Sequence, residues 1–301
     1  MENSCIYVSS RGIAKCCSFY PNNIISDKNN NISYLYNLLK SKMFDGMSIY
    51  VISDSLNFFV NSILPFISNK FVLVSGASVK TCPIEVLTQN EFQKLMTNRF
   101  LIRWCSLNNS ISHFPRIIQI PLGIDYHTIL NNPAHDWKEN GEGILPIDQE
   151  KILKQILSNA KPFYERTINK IYSNFAINAD RFNQRKNCLK EIPNNLLISC
   201  GGKHKRTKTW QIMTEFAFVL SPYGNGMDCH RHWEAIILGC IPIIKSTEFE
   251  NMYSDLPVLN VKNWSDINEK LLYDTINNFK DKTFNMDKIK LEYWKNKIFD
   301  F

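Results

Sequence analysis

The chain has 301 residues, 44% of them hydrophobic, which is enough for substantial cores and about two domains. Its net charge is +7, and the basic residues are scattered without a zinc-finger or RNP-like motif, so an anionic small molecule or acidic glycan is favoured over nucleic acid as partner. No stretch reaches the ~18 apolar residues of a membrane span, and nine cysteines without a C-x-x-C pair read as reduced thiols, which gives a cytoplasmic expectation.

In chain order, residues 6–9 and 48–52 read as strands with a helix at 33–42 between them. A helical pattern at 56–67 leads to a strand at 71–75, another at 91–96 to a strand at 100–104, and 117–120 is a further strand. Between 125 and 150 the pattern gives way to Asn131-Asn132-Pro133 and Asn140-Gly141-Glu142-Gly143, a loop-rich stretch, before a helix at 148–159. A second alternating unit begins at 170–175, with a helix at 180–191 and a strand at 196–199. Such alternation predicts an α/β protein with parallel sheets and crossover helices, divided near Lys161-Pro162 into domains 1–161 and 162–301.

The most informative segment is FAFVLSPYGNGMDCHRHWEAIILGCIPIIK, residues 216–245. An apolar strand breaks at Ser221-Pro222, a glycine-bearing loop follows, helical spacing runs over 228–238, and Gly239 precedes the next buried strand. Parallel sheets bind ligands at the carboxyl ends of their strands, and helix N-termini with glycine loops accept phosphate, so this loop is the expected site of a diphosphate. Asp228 is placed to cap the helix, with Arg231 for phosphate and Glu234 for ribose hydroxyls on one face. Gly-x-Gly is a weak signal taken alone, and Arg231 and Glu234, three apart, equally fit an ion pair on a helix surface.

The run from Ser221-Pro222-Tyr223-Gly224-Asn225-Gly226 through Asp228, Arg231 and Glu234-Ala235, followed by Leu238-Gly239-Cys240-Ile241-Pro242, resembles the donor-site signature of exostosin-like glycosyltransferases. Weaker likeness extends through Asn174-Phe175, Arg181, Leu256-Pro257-Val258 and Trp264, and upstream through residues 71–76 and 120–127. The resemblance implies a GT-B fold, two Rossmann-like domains facing across a cleft, with a last helix at about 286–300 that packs back on the first domain. It also implies inverting transfer from a nucleotide sugar, usually a UDP-sugar, to a glycan acceptor, with no cofactor and no metal. The chain contains no Asp-x-Asp metal motif.

The donor-site candidates are Arg181, Arg185, Ser221, Gly224, Asn225, Gly226, Asp228, Arg231 and Glu234, with Arg231 also the neutraliser of leaving-group charge. Arg181 and Arg185 fall one turn apart in the expected helix at 180–191 and are read as facing the cleft. Asp125 and His127 are the candidates for the base, since they follow a strand of the first domain; Asp125 equally fits a cap of the next turn. His230 and His232 straddle Arg231 and cannot both face a ligand, and the basic run 203–208 after Gly201-Gly202 reads as a solvated loop. Ala77 and Val79 stand where related sequences often carry aspartates, which keeps open a nucleotide-sugar or glycan-binding protein without catalysis; a basic nucleic-acid binder is the third reading.

Overall fold

The segments β1 (Met47–Ile52) and β2 (Phe71–Gly76) are buried at every position. Both faces of their sheet must therefore be covered, as crossover helices between parallel strands require. The computed structural model describes every residue except 26–27, 112–113, 133–134, 138–141, 200–203, 248–249 and 301. With β3 (Leu101–Ser106) and β4 (Ile117–Gln119), the first two strands form a four-stranded parallel sheet in sequential order.

One face of that sheet, carrying Met47, Ile49, Val51, Phe71, Leu73 and Trp104, packs with Leu35 and Leu38, with Leu56 to Ile67, and with Leu95. These come from helix α2 (Lys28–Lys40), from the turn α3 (Leu56–Phe58) that continues through π-helical Phe59–Ile63, and from α4 (Gln89–Thr97). Thr88 and Glu91 close a reciprocal capping box at the start of α4. The short helices α1 (Ser10–Ala14) and α5 (His127–Asn131) and the longer α6 (Pro146–Ser158) complete this half of the chain.

The second sheet holds β5 (Thr167–Tyr172), β6 (Leu197–Ile198), β7 (Phe216–Leu220), β8 (Ile241–Lys245) and β9 (Leu259–Val261), all parallel, in the order β6-β5-β7-β8-β9. Its helices are α7 (Gln184–Glu191), α8 (Arg206–Met213), α9 (His230–Ile237), α10 (Glu250–Tyr253) and α11 (Glu269–Lys280). Strand order reverses between β5 and β7, so the crevice at the carboxyl ends of those two strands is the place where a doubly wound sheet takes a ligand. The α/β reading with two separate parallel sheets thus holds.

The last helix, α12 (Leu291–Phe299), crosses back to the first sheet. Leu291, Trp294 and Ile298 share a core with Tyr50, Ile52, Val72, Val74 and Cys105, and Arg103 donates to the Lys297 carbonyl at 2.7 Å. That same core continues into Trp210, Trp233, Ile236 and Ile244, so one apolar body runs through both halves of the molecule.

Several local expectations are corrected. Residues 6–9 form no sheet strand; Tyr7 pairs with Lys290 and Ser9 with Gly123 in isolated antiparallel bridges, partners that local spacing cannot reveal. The helix expected at 180–191 begins only at Gln184, because Asn183 is left-handed (φ 55) and the Asp180 carboxylate takes the N–H groups of Arg185 and Lys186. The basic run at 203–208 is the start of α8 from Arg206 onward; Gly201, Gly202, Lys203, Pro133 and Asn140-Gly141 lie outside the described residues. Strand β9 and helix α11 had no counterpart in the sequence reading. Among the described residues, no helix is long and apolar enough to cross a membrane.

Candidate functional site

The glycine loop 221–229 leaves the carboxyl end of β7 at the switch point and delivers the chain into α9. Gly224 and Gly226 close a tight turn (Gly224 N to Gly226 O, 3.2 Å), with Asn225 exposed at its tip. Both glycines sit under close neighbours, Gly224 the more tightly. A Cβ on Gly224 would lie 2.5 Å from Arg185 Nη2, and one on Gly226 would lie 3.0 Å from Asn108 Nδ2.

Two guanidinium groups meet beside this turn. Arg185 is fixed by the carbonyls of Ala176 (2.6 Å) and Tyr223 (3.1 Å), and its Cζ stands 5.7 Å from the Phe175 ring. Arg231, in the first turn of α9, has its Cζ 5.8 Å from the same ring and forms no hydrogen bond or ion pair with the described residues. Burial lowers its pKa, which records that the charged form is held away from water. Glu234 lies within its electrostatic range and favours the charged form while Arg185 opposes it, so this half-buried cation has a carboxylate nearby and no direct acceptor among the described residues.

Glu234 makes its direct contact elsewhere. Its Oε1 accepts from Arg206 Nη2 at 2.6 Å, and its second oxygen takes no hydrogen bond from the described residues. Arg206 is 4% exposed, with Cζ 4.7 Å from the Trp210 ring and 5.4 Å from that of Trp137, and it also donates to the Asp125 carbonyl and to Gln149 Oε1. The sequence reading as a solvated basic run missed it. The available signal was Arg206, Trp210 and Met213 at i, i+4 and i+7, a spacing that puts the arginine on a buried helix face.

In the first half of the chain, Asp125 lies in the loop after β4 and His127 opens α5. Gly123, at φ 65, allows the backbone to pair with Val8 and Ser9; a Cβ there would lie 2.1 Å from the Val8 carbonyl oxygen. Asp125 is 4% exposed and accepts from Thr128 N (2.9 Å) and His127 Nδ1 (3.0 Å). Burial raises its carboxyl pKa, but His230, His127 and Arg206 outweigh burial and hold it well below the usual carboxylate range. Burial pushes the His127 imidazole the other way, from 6.5 down to about 4. A carboxylate can only accept, so Nδ1 of His127 carries the proton and Nε2 presents a lone pair. Asp125 thus caps the turn and orients the histidine at once.

His230 lies opposite, its ring centroid 6.2 Å from that of His127, with Nδ1 2.7 Å from the Gly123 carbonyl oxygen. His232 points away and is buried between the Ser221 carbonyl (2.9 Å) and the Tyr253 hydroxyl (3.0 Å).

The structure therefore brings together Arg185, Gly224, Asn225, Gly226 and Arg231 on one wall, and Asp125 with His127 on the other, and sets three expected donor-site residues to other work. Asp228 does not cap α9; Cys229 is the N-cap, and the Asp228 carboxylate is consumed by Leu122 N, Trp233 Nε1 and the Tyr253 hydroxyl. Ser221 is fully buried, with its hydroxyl turned to the Val219 carbonyl. Arg181 precedes α7 rather than lying within it, and it pairs with Glu85 and the Val79 carbonyl of the first half of the chain. Asp54, another acid near a strand end, is paired with Lys80 at 2.8 Å. The Cys229 thiol is pushed up to about 11 by burial, which makes it a poor nucleophile.

No family model matches the chain, and no curated protein matches it. Among solved structures it is similar to Anabaena HepE in complex with UDP, at 11% identity over 90% of this chain and 78% of that one, with a TM-score of 0.41. It is similar to an E. coli trehalose-6-phosphate structure bound with UDP-2-fluoro glucose, at 11% identity over 90% and 72% of the two chains (TM-score 0.40). A third is an α,α-trehalose-phosphate synthase (UDP-forming) from Burkholderia vietnamiensis, at 8% identity over 90% and 75% (TM-score 0.40). The exostosin-like resemblance rests on the sequence motif alone.

Proposed function

We propose that the protein is a glycosyltransferase that takes a nucleotide diphosphate sugar, with UDP as the expected nucleotide, and passes the sugar to a glycan acceptor. The observation that carries this reading is the Arg231 guanidinium beside Arg185, without a direct acceptor among the described residues, at the glycine turn of the switch-point crevice. Two cations and the free N–H groups opening α9 suit a diphosphate. The unbonded oxygen of Glu234 is the acceptor for a ribose hydroxyl.

On the opposite wall, His127 Nε2 takes the proton of the acceptor hydroxyl as its oxygen attacks the anomeric carbon, and Asp125 holds the imidazole in the competent tautomer. The bond to the diphosphate breaks as the new glycosidic bond forms, and Arg231 and Arg185 take up the charge of the departing nucleoside diphosphate. Attack from the wall facing the donor gives inversion, and the two guanidinium groups do the work that a metal ion does elsewhere.

The test is calorimetric titration of UDP, GDP, CDP and dTDP, with and without EDTA, into the wild-type chain and Arg231→Ala. Selective binding of one nucleotide, insensitive to EDTA and lost in the variant, is expected. Equal binding by the variant sinks the assignment, and binding that requires a divalent ion sinks its metal independence.

A further inference from the structure

Backbone pairing fixes the N-terminal segment against the wall that carries His127. Ile124 N donates to the Val8 carbonyl and Ser10 N to the Leu122 carbonyl, each at 2.8 Å, and the Ser9 hydroxyl caps α1 through Gly12 N at 2.9 Å. Helix α1 therefore starts beside the loop of Asp125 and His127, and its second residue is Arg11.

The Arg11 side chain is half-buried and forms no hydrogen bond or ion pair with the described residues. Glu2 and Asp125 lie within its electrostatic range, but each is committed elsewhere, Glu2 to Lys15 and Asp125 to His127 and Thr128 N. Tyr50, also within electrostatic range of Arg11, has a buried hydroxyl with no hydrogen-bond partner among the described residues. Its oxygen stands 2.8 Å from the position a Cβ would take on Gly76, the last residue of β2. A guanidinium with five donors thus stands within electrostatic range of His127 with none of them bonded to the described residues. Partial burial of such a cation is unfavourable until an anion arrives, and burial has already lowered the Arg11 pKa.

We infer that the acceptor substrate carries an oxyanion, a carboxylate or a phosphate, that docks on Arg11 and so places its hydroxyl at His127. This rests on the proposed transferase reading and adds the charge class of the acceptor to it. The planar guanidinium binds two oxygens of either group side by side, which fixes orientation as well as affinity.

The probes are glucuronate and glucose 1-phosphate, with glucose as neutral control, titrated by NMR onto the wild-type chain, Arg11→Gln and Arg11→Lys, each with and without saturating UDP. One anion is expected to bind at least about tenfold more tightly than glucose, as a charge-assisted bidentate contact allows, and the tighter of the two identifies carboxylate or phosphate. Arg11→Gln removes the preference and Arg11→Lys keeps part of it, while UDP affinity is unchanged in both. Glucose binding as well as either anion, or a preference that survives in Arg11→Gln, overturns the inference. Failure of the wild-type chain to bind UDP counts against the transferase reading instead, and an Arg11-dependent preference measured without UDP stands apart from it.

Discussion

The Asp228 carboxylate accepts the backbone N–H of Leu122 at 2.6 Å, so the glycine loop of the second domain is fastened to the first domain through an acid that is 3% exposed. Asn108, left-handed at φ 50 after β3, adds a second tie by accepting from Asp228 N at 3.1 Å. The donor wall and the base wall are held in register by these contacts.

Removing that acid should unfasten the molecule. Asp228→Ala leaves Leu122 N, Trp233 Nε1 and the Tyr253 hydroxyl without their shared acceptor, and we expect a loss of about 3–5 kcal/mol, as when one member of a buried charged network is deleted. Urea denaturation measures it, and a loss under about 1 kcal/mol, the scale of a single ordinary hydrogen bond, is incompatible with the role.

Arg231→Ala should behave in the opposite way. The side chain forms no hydrogen bond with the described residues, so its removal is expected to change stability by less than about 1 kcal/mol while weakening nucleoside diphosphate binding at least roughly tenfold, the worth of a charge-assisted contact. Thermal melts with and without UDP separate the two effects. A variant that unfolds, or that binds UDP as before, contradicts the assignment.

Gly224→Ala tests the close approach at the turn. The new methyl would stand 2.5 Å from Arg185 Nη2, and Arg185 is held by two backbone carbonyls that limit its retreat. We expect UDP affinity to fall roughly tenfold at a stability cost of about 1 kcal/mol. Unchanged affinity would mean that Arg185 moves without consequence for the ligand.

His127 sets a pH dependence of defined sign. In the unfolded chain it titrates near 6.5, and in the fold burial brings it down to about 4. Between those values the unfolded state binds the extra proton, so stability is full above pH 6.5 and declines as pH falls toward 4. With the side chain 26% exposed, the share due to His127 is on the order of 2 kcal/mol. Urea midpoints at pH 4.5 and 7 should differ less in His127→Gln than in the wild type, and an equal difference removes His127 as the source.

The sequence was most legible where structure is local. Residues 216–220 were read as the strand that β7 is, because an apolar run bounded by Ser-Pro and a glycine turn needs nothing distant to define it. The glycine loop and the place of Arg231 in the first turn of α9 followed from the same stretch. What local spacing could not carry was the traffic between domains: Arg181 pairs with Glu85, Asp228 reaches Leu122, and Arg206 joins Glu234 to the Asp125 carbonyl. Each has a partner about 30 to 110 positions away, and helical or strand periodicity says nothing about contacts at that range. Residues 6–9 failed as a strand for the same reason, since their partners are Gly123 and Lys290.

The return of α12 gives the chain a clasp. Val8 N donates to the Ile289 carbonyl and Leu291 N to the Ile6 carbonyl, so two segments some 280 positions apart are stitched before the helix lies down over Tyr50, Val74 and Cys105. The first domain is consequently built from two separate stretches of polypeptide, and the second sits between them as an insert. A fragment cut at Lys161-Pro162 keeps Val8, Ile13, Ala14 and Ile124 in the core shared with α12 and loses Leu291, Trp294 and Ile298. The earlier half of the chain is thus completed by a helix that follows the later one.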